Sequence, residues 1–165
     1  MSQDEVIDGD KLGELLNEYI AEMEKCGRAG AYFAGCVMAA SALEAVLLAK
    51  VNLELLNENG NFSKFKRKKS LVRLTLGELI EAAKEAGWFP FAPDEEIEGN
   101  LRKAKIGNLM EVVREIRNML HPGKWLRDYP DIKHINKEHF EASYSILKGA
   151  IDHLYNQLIA ELGRK

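Results

Sequence analysis

The chain has 165 residues, 46% of them apolar, 30% charged and 8% aromatic, with a formal net charge of −3. A chain of this length folds by default as one domain burying about 70% of its unfolded surface. Its apolar share excludes wholesale disorder, and 4 prolines with 13 aperiodic glycines exclude a collagen-like or low-complexity chain. The mildly acidic balance excludes nucleic-acid binding through a generally basic coat, so any such contact has to be local.

The first residues, Met1-Ser2-Gln3-Asp4-Glu5, lack the basic and apolar regions of a secretory signal. Cys26 and Cys36 have neither a C-x-x-C spacing nor the pattern of a disulfide framework. They read as two reduced thiols packed as small apolar groups, and the expected compartment is the cytoplasm.

In chain order, residues 1–9 are expected as a disordered tail, and Asp10 is placed to cap a first helix. That helix carries Leu12, Leu15, Leu16, Tyr19, Ile20 and Met23 at i, i+3, i+4 spacing, with Gly27 as its stop. A second helix is expected from about Ala29 to Asn57, burying Phe33, Val37, Leu43, Val46, Leu47 and Val51. The stretch Ala29–Ala49 holds one charge, Glu44, and is long enough to span a bilayer. It is rich in Ala and Gly, however, and Glu44 would cost about 2–3 kcal/mol in lipid. A central helix surrounded by its neighbours is expected, with no membrane.

Residues 60–73 hold the one strong charge run, Lys64, Lys66, Arg67, Lys68 and Lys69, interleaved with Phe62 and Phe65. This reads as an exposed basic loop. Thr75 and Glu78 have the form of a capping box that opens a helix ending near Gly87. Trp88-Phe89-Pro90-Phe91-Ala92-Pro93 is irregular and aromatic, and is expected to fold back on the core. From about Gly99 a helical pattern resumes through Leu109, Val112, Val113, Ile116 and Leu120, finishing near His121 because Pro122 disfavours helix before it. A loop with Gly123, Asp128 and Pro130 follows. Asn136 then caps a last helix through Phe140, Tyr144, Leu147, Ile151, Leu154 and Leu158 to near Gly163. No segment alternates with period two. The expected fold is all-α, a single-domain bundle of four to five helices over residues 1–165.

No phosphate-binding glycine loop, dinucleotide fingerprint, zinc-protease helix or nucleophile elbow occurs. His134 and His139 straddle a helix start, while His139 and His153 fall on what reads as a solvated face of the last helix. No metal and no cofactor are assigned.

Chemistry concentrates in Arg114-Glu115-Ile116-Arg117-Asn118-Met119-Leu120-His121-Pro122-Gly123. At 100° per residue, Arg114, Arg117, Asn118 and His121 share one stripe beside an apolar seam of Val112, Val113, Ile116 and Leu120. This is a toolkit for cleaving RNA without metal. His121, at a helix C-terminus, titrates near working pH and can exchange protons with a ribose 2′-hydroxyl or a leaving 5′-oxygen. Arg114 or Arg117 can hold the scissile phosphate, and Asn118 can orient phosphate or imidazole. Lys124, just past Pro122-Gly123, joins Lys66, Arg67 and Lys68 as phosphate contacts, with Phe62 and Phe65 available to stack on bases. Glu115 points off the stripe and reads as solvated. Glu44, in an otherwise apolar helix, either faces solvent or pairs with Arg114 or Arg117. The same ridge also reads as ordinary helix-terminating chemistry, in which Arg and His meet free carbonyls and Pro-Gly punctuates the chain.

Two segments, Ser41-Ala42-Leu43-Glu44-Ala45 and Arg114-x-x-Arg117-Asn118-x-x-His121-Pro122-Gly123, together resemble the HEPN superfamily (higher eukaryotes and prokaryotes nucleotide-binding). That resemblance implies an all-α, often dimeric domain that binds RNA, and active members that are metal-independent ribonucleases in toxin or defence settings. It also implies a homodimer and a protein antitoxin or nucleotidyltransferase as partner. The family signature is Arg, four to six residues, then His, with a polar residue after the Arg. Here Arg114 meets the spacing but is followed by Glu115, whereas Arg117 is followed by Asn118 but has only three residues between it and His121. A non-catalytic helical module that dimerises or binds a protein or nucleotide partner is the alternative. The small residues Gly30, Ala31, Ala34, Gly35, Ala39 and Ala42 let another helix approach closely, from this chain or a second copy.

Overall fold

The computed structural model describes residues 7–56, 70–92, 105–119, 122–128 and 134–162. Among these residues every regular element is helical. The α-helices are α1 (Gly9–Arg28), α2 (Tyr32–Leu56), α3 (Leu76–Ala86), α4 (Ile106–Asn118), α5 (Pro122–Asp128) and α6 (Lys137–Leu162), with a 3-10 turn at Leu71–Arg73. The all-α bundle is as expected. Its five long helices are joined by one short helix, α5, where a loop was expected. Pro122 begins that helix because proline at a first helical position loses no hydrogen bond.

Local chemistry sets most ends. Asp8, not Asp10, caps α1: its Oδ1 accepts from the amides of Asp10 at 3.1 Å and Lys11 at 3.3 Å. The helix starts earlier than expected because Ile7 is already held, its N–H donating to Asn52 Oδ1 at 2.9 Å and its carbonyl accepting from Asn52 Nδ2 at 2.8 Å. Residues 7–9 are therefore ordered, while 1–6 lie outside the described residues. The stop of α1 is Gly30, at φ +71°, where the amides of Gly30 and Ala31 reach back to the carbonyls of Gly27 and Cys26. Gly27 does not stop the helix. Its missing Cβ admits the Phe140 ring, whose atoms would lie 2.6 Å from such a carbon. Further on, Thr75 and Glu78 form the expected capping box on α3, and Gly87 ends that helix at φ +70°. Asn136 Oδ1 accepts from the His139 amide at 3.2 Å to open α6.

The core is organised around α2, which lies against α1, α3, α4 and α6. Ala39, Ala40, Ala42, Leu43, Leu47 and Val51 are fully buried. Alanine on this helix brings neighbouring backbones close, and the leucines and valine fill the space between them. Phe33 is an exception to the expected face. It stands 44% exposed in the first turn, where Tyr32 instead meets Phe140 with ring centroids 6.0 Å apart. Among the described residues one helical stretch, Tyr32–Glu54, is long and apolar enough to cross a membrane, and half of it is buried against the other helices.

The aromatic segment folds back as expected. Trp88 and Phe89 are buried, and the Phe91 ring packs on Gly107, where any Cβ would collide with it. Asn108 fastens the segment to α4. Its Oδ1 accepts from the Ala92 amide at 2.8 Å and the Lys105 amide at 3.1 Å, and its Nδ2 donates to the Ala92 carbonyl at 3.1 Å. His153 is not on a solvated face: it stacks on Phe89 at 5.3 Å, and its Nε2 lies 3.0 Å from the Trp88 carbonyl, which Gln157 also donates to at 2.9 Å.

Candidate functional site

The stripe on α4 is held from below. Gly107, Met110, Val113 and Ile116, three residues apart, are buried. Ile116 and Met119 join Cys36 of α2 and Ile135 in a second small core against which Trp125 and Phe140 pack. Val112, expected in the apolar seam, is 37% exposed, whereas Met110 takes the inner position. These contacts fix the C-terminal half of α4 between α2, α5 and the start of α6.

On this support lies a cluster of six charged side chains. Arg117 Nη1 meets Glu44 Oε2 at 2.7 Å, joining α4 to α2. Arg114 Nε meets Glu111 Oε2 at 2.5 Å, and its Nη2 lies 3.2 Å from Glu115 Oε1. Lys124 of α5 donates from Nζ to Glu115 Oε2 at 3.2 Å, and Asn118 Nδ2 donates to Glu115 Oε1 at 3.3 Å. Glu44 Oε2, Glu111 Oε2 and Arg114 Nε are shut off from solvent and meet opposite charge at angles that make ion pairs rather than aligned hydrogen bonds. The side chains as wholes remain open to water, with Arg114 38% and Arg117 37% exposed. Beside them, Gly77 at the start of α3 leaves room for the Arg114 stem, which would stand 3.5 Å from a Cβ there.

Of the expected site residues, Arg114, Arg117, Asn118, Lys124 and Glu44 thus come together, and Glu44 takes Arg117 as its partner. His121, Lys66, Arg67 and Lys68 lie outside the described residues. Glu115 departs from the expectation: it is the carboxylate on which Arg114, Asn118 and Lys124 converge, so it is not simply solvated. Glu111 is a participant that the stripe argument passed over. Its signal was present, since a carboxylate three residues before Arg114 on a helix is spaced to pair with it. The Lys124 contact carried no local signal, because it depends on the α5 helix carrying that residue back toward α4.

Apart from this cluster, the described residues form a groove of about 220 Å³ between α1, α2 and α6, lined by Leu16, Val46, Leu53, Leu154, Tyr155 and their neighbours. Its one charged lining residue, Lys50, is paired with Glu54 at 2.5 Å and lies 5.7 Å from the Trp88 ring centroid. The groove shares no lining residue with the charged cluster. Among the described residues no group of three or more His, Cys, Asp or Glu side chains is arranged to hold a metal ion.

No family model, no curated protein and no solved structure matches this chain.

Proposed function

We propose that this chain is a HEPN-like RNA-binding domain whose ridge from Arg114 to His121 acts as a metal-independent endoribonuclease. One observation carries the reading. The two segments that resemble the family, distant in sequence, are joined by the Glu44–Arg117 ion pair, which holds a guanidinium on a half-exposed face. In this reading Arg117 and Arg114 hold the scissile phosphate and offset the charge that grows on its oxygens during attack by the 2′-hydroxyl. Asn118 orients the phosphate, Lys124 meets a neighbouring one, and His121 moves the proton. Positioned proton transfer of that kind contributes about 10²–10⁴-fold. A cytoplasmic toxin or defence setting, a second copy and an antitoxin or nucleotidyltransferase partner enter by resemblance alone.

The test is incubation of the purified protein with RNA in EDTA beside a His121→Ala variant. Cleavage that resists EDTA and disappears in the variant supports the enzyme. Equal cleavage by both proteins marks contamination and removes the support.

A second reading is favoured by one specific feature. Arg114, Arg117 and Lys124 are matched by Glu44, Glu111 and Glu115, so the ridge is internally neutralised. This suits a non-catalytic helical module that binds a protein or nucleotide partner, with the ion pairs fastening α2, α4 and α5. Intact RNA in both arms of the same assay selects it.

A further inference from the structure

We propose that Glu115 is an internal stand-in for phosphate. Its carboxylate occupies an anion seat built by Arg114, Asn118 and Lys124, and a phosphodiester takes the seat when Glu115 swings out. The inference rests on the ridge facing RNA and goes beyond it by naming what holds the site closed.

Three donors of different chemistry, a guanidinium, a carboxamide and an ammonium, reach one carboxylate from two helices at 3.2, 3.3 and 3.2 Å. A carboxylate and a phosphodiester both present two oxygens on one centre, so donors arranged for one suit the other. The two carboxylates on Arg114 are unequal. Glu111 meets Nε at 2.5 Å and anchors the side chain, whereas Glu115 stands 3.2 Å from Nη2, beyond the 2.7–2.9 Å or so typical of strong charge-assisted contacts. Glu115 is therefore the exchangeable partner. Its side chain is 34% exposed, with Arg114 at 38% and Lys124 at 28%, so solvent and ligand reach the seat from outside. The inner face of α4 is fixed by Met110, Val113 and Ile116, so the exchange is a movement of the Glu115 side chain and not of the helix. With Glu115 in place the Arg114 and Lys124 charges are offset and the ridge attracts phosphate weakly. Without it the local charge rises by one: Lys124 and the Nη2 end of Arg114 are released to the ligand, while Glu111 keeps Arg114 Nε.

The experiment measures binding of a 2′-O-methyl oligoribonucleotide, which has no free 2′-hydroxyl and cannot be cleaved by this chemistry, to wild type, Glu115→Ala and Glu18→Ala. Glu18, exposed on α1, supplies the same loss of charge away from the ridge. At about 0.1 M salt, Glu115→Ala binds roughly tenfold tighter than wild type. Its plot of log affinity against log salt is steeper by about 0.7–1.4, the equivalent of one or two further phosphates. Glu18→Ala changes affinity by about twofold or less, and adding Lys124→Ala to Glu115→Ala removes most of the gain. Equal affinities for Glu115→Ala and Glu18→Ala overturn the inference, as does a gain that survives loss of Lys124. Should Glu115→Ala fail to fold by circular dichroism, Glu115→Gln, uncharged but of the same shape, is measured in its place. It is expected to gain affinity in the same direction, and no gain overturns the inference. Tighter binding by Glu115→Ala with no cleavage of ordinary RNA by wild type leaves the seat standing and removes only the nuclease reading.

Discussion

Glu44 of α2 and Arg117 of α4 face each other at 2.7 Å, with Glu44 Oε2 shut off from solvent while both side chains keep an exposed edge. Such a pair sits between a surface salt bridge, worth about 0–1 kcal/mol, and a buried one, where removing one partner strands the other. Arg117→Ala is therefore expected to destabilise by about 1–2 kcal/mol, and Glu44→Gln by less. A double-mutant cycle in urea should show a coupling of about 0.5–1 kcal/mol. Additivity within about 0.3 kcal/mol would mean that the pair contributes nothing beyond its two halves.

Asn108 satisfies both the amide and the carbonyl of Ala92 as well as the amide of Lys105. Asn108→Ala leaves these backbone groups to find other partners, at a cost of about 1–3 kcal/mol. Amide exchange should accelerate at Ala92 and Lys105 more than at the buried centre of α2. Unchanged exchange at those two amides would show that the aromatic segment is held by packing alone.

Glycine-to-alanine changes should have opposite signs at two helical positions. Gly13 on α1 has open space around it, and Gly13→Ala is expected to stabilise by about 0.5–1 kcal/mol through helix propensity. Gly35 on α2 lies under the Phe140 ring, with ring atoms 2.6 Å from where a Cβ would stand. Gly35→Ala should cost about 1–3 kcal/mol and lower Tm by several degrees. A rise in Tm for Gly35→Ala would contradict the packing of Phe140 between α1 and α2.

Burial raises the Cys36 pKa from its ordinary 9.0, with a smaller opposing effect from the Ser143 hydroxyl. The folded state thus favours the neutral thiol. This stabilisation is complete below the ordinary thiol pKa and is lost as pH rises through the higher, folded value. In a Cys26→Ala background, alkylation of native Cys36 should be slow at pH 8 and should rise only at a pH above that for free cysteine. Labelling at the rate and pH of free cysteine would overturn this.

Helix identity and most helix ends were written locally. Spacings of three and four set α1, α4 and α6, while Thr75 with Glu78, Gly87 and Asn136 mark ends through contacts within a few residues. Such signals survive in sequence because both partners are close along the chain. The partners of polar side chains were less legible. Glu44 had two candidate arginines in sequence, and only the packing of α2 on α4 chose Arg117.

What the sequence by itself determined was therefore the class of the fold, the order of its long helices and the presence of a polar ridge on α4. Tertiary structure alone decided that Asp8 rather than Asp10 starts α1, because Asn52 grips Ile7 from a distant helix. It alone decided that Gly27 accommodates Phe140, that His153 turns inward to Trp88, and that Lys124 of α5 reaches back to Glu115. The reason is common to all four. A helix of given amphipathicity can bury its apolar stripe against several neighbours, and each choice brings a different long-range donor or ring to the same position.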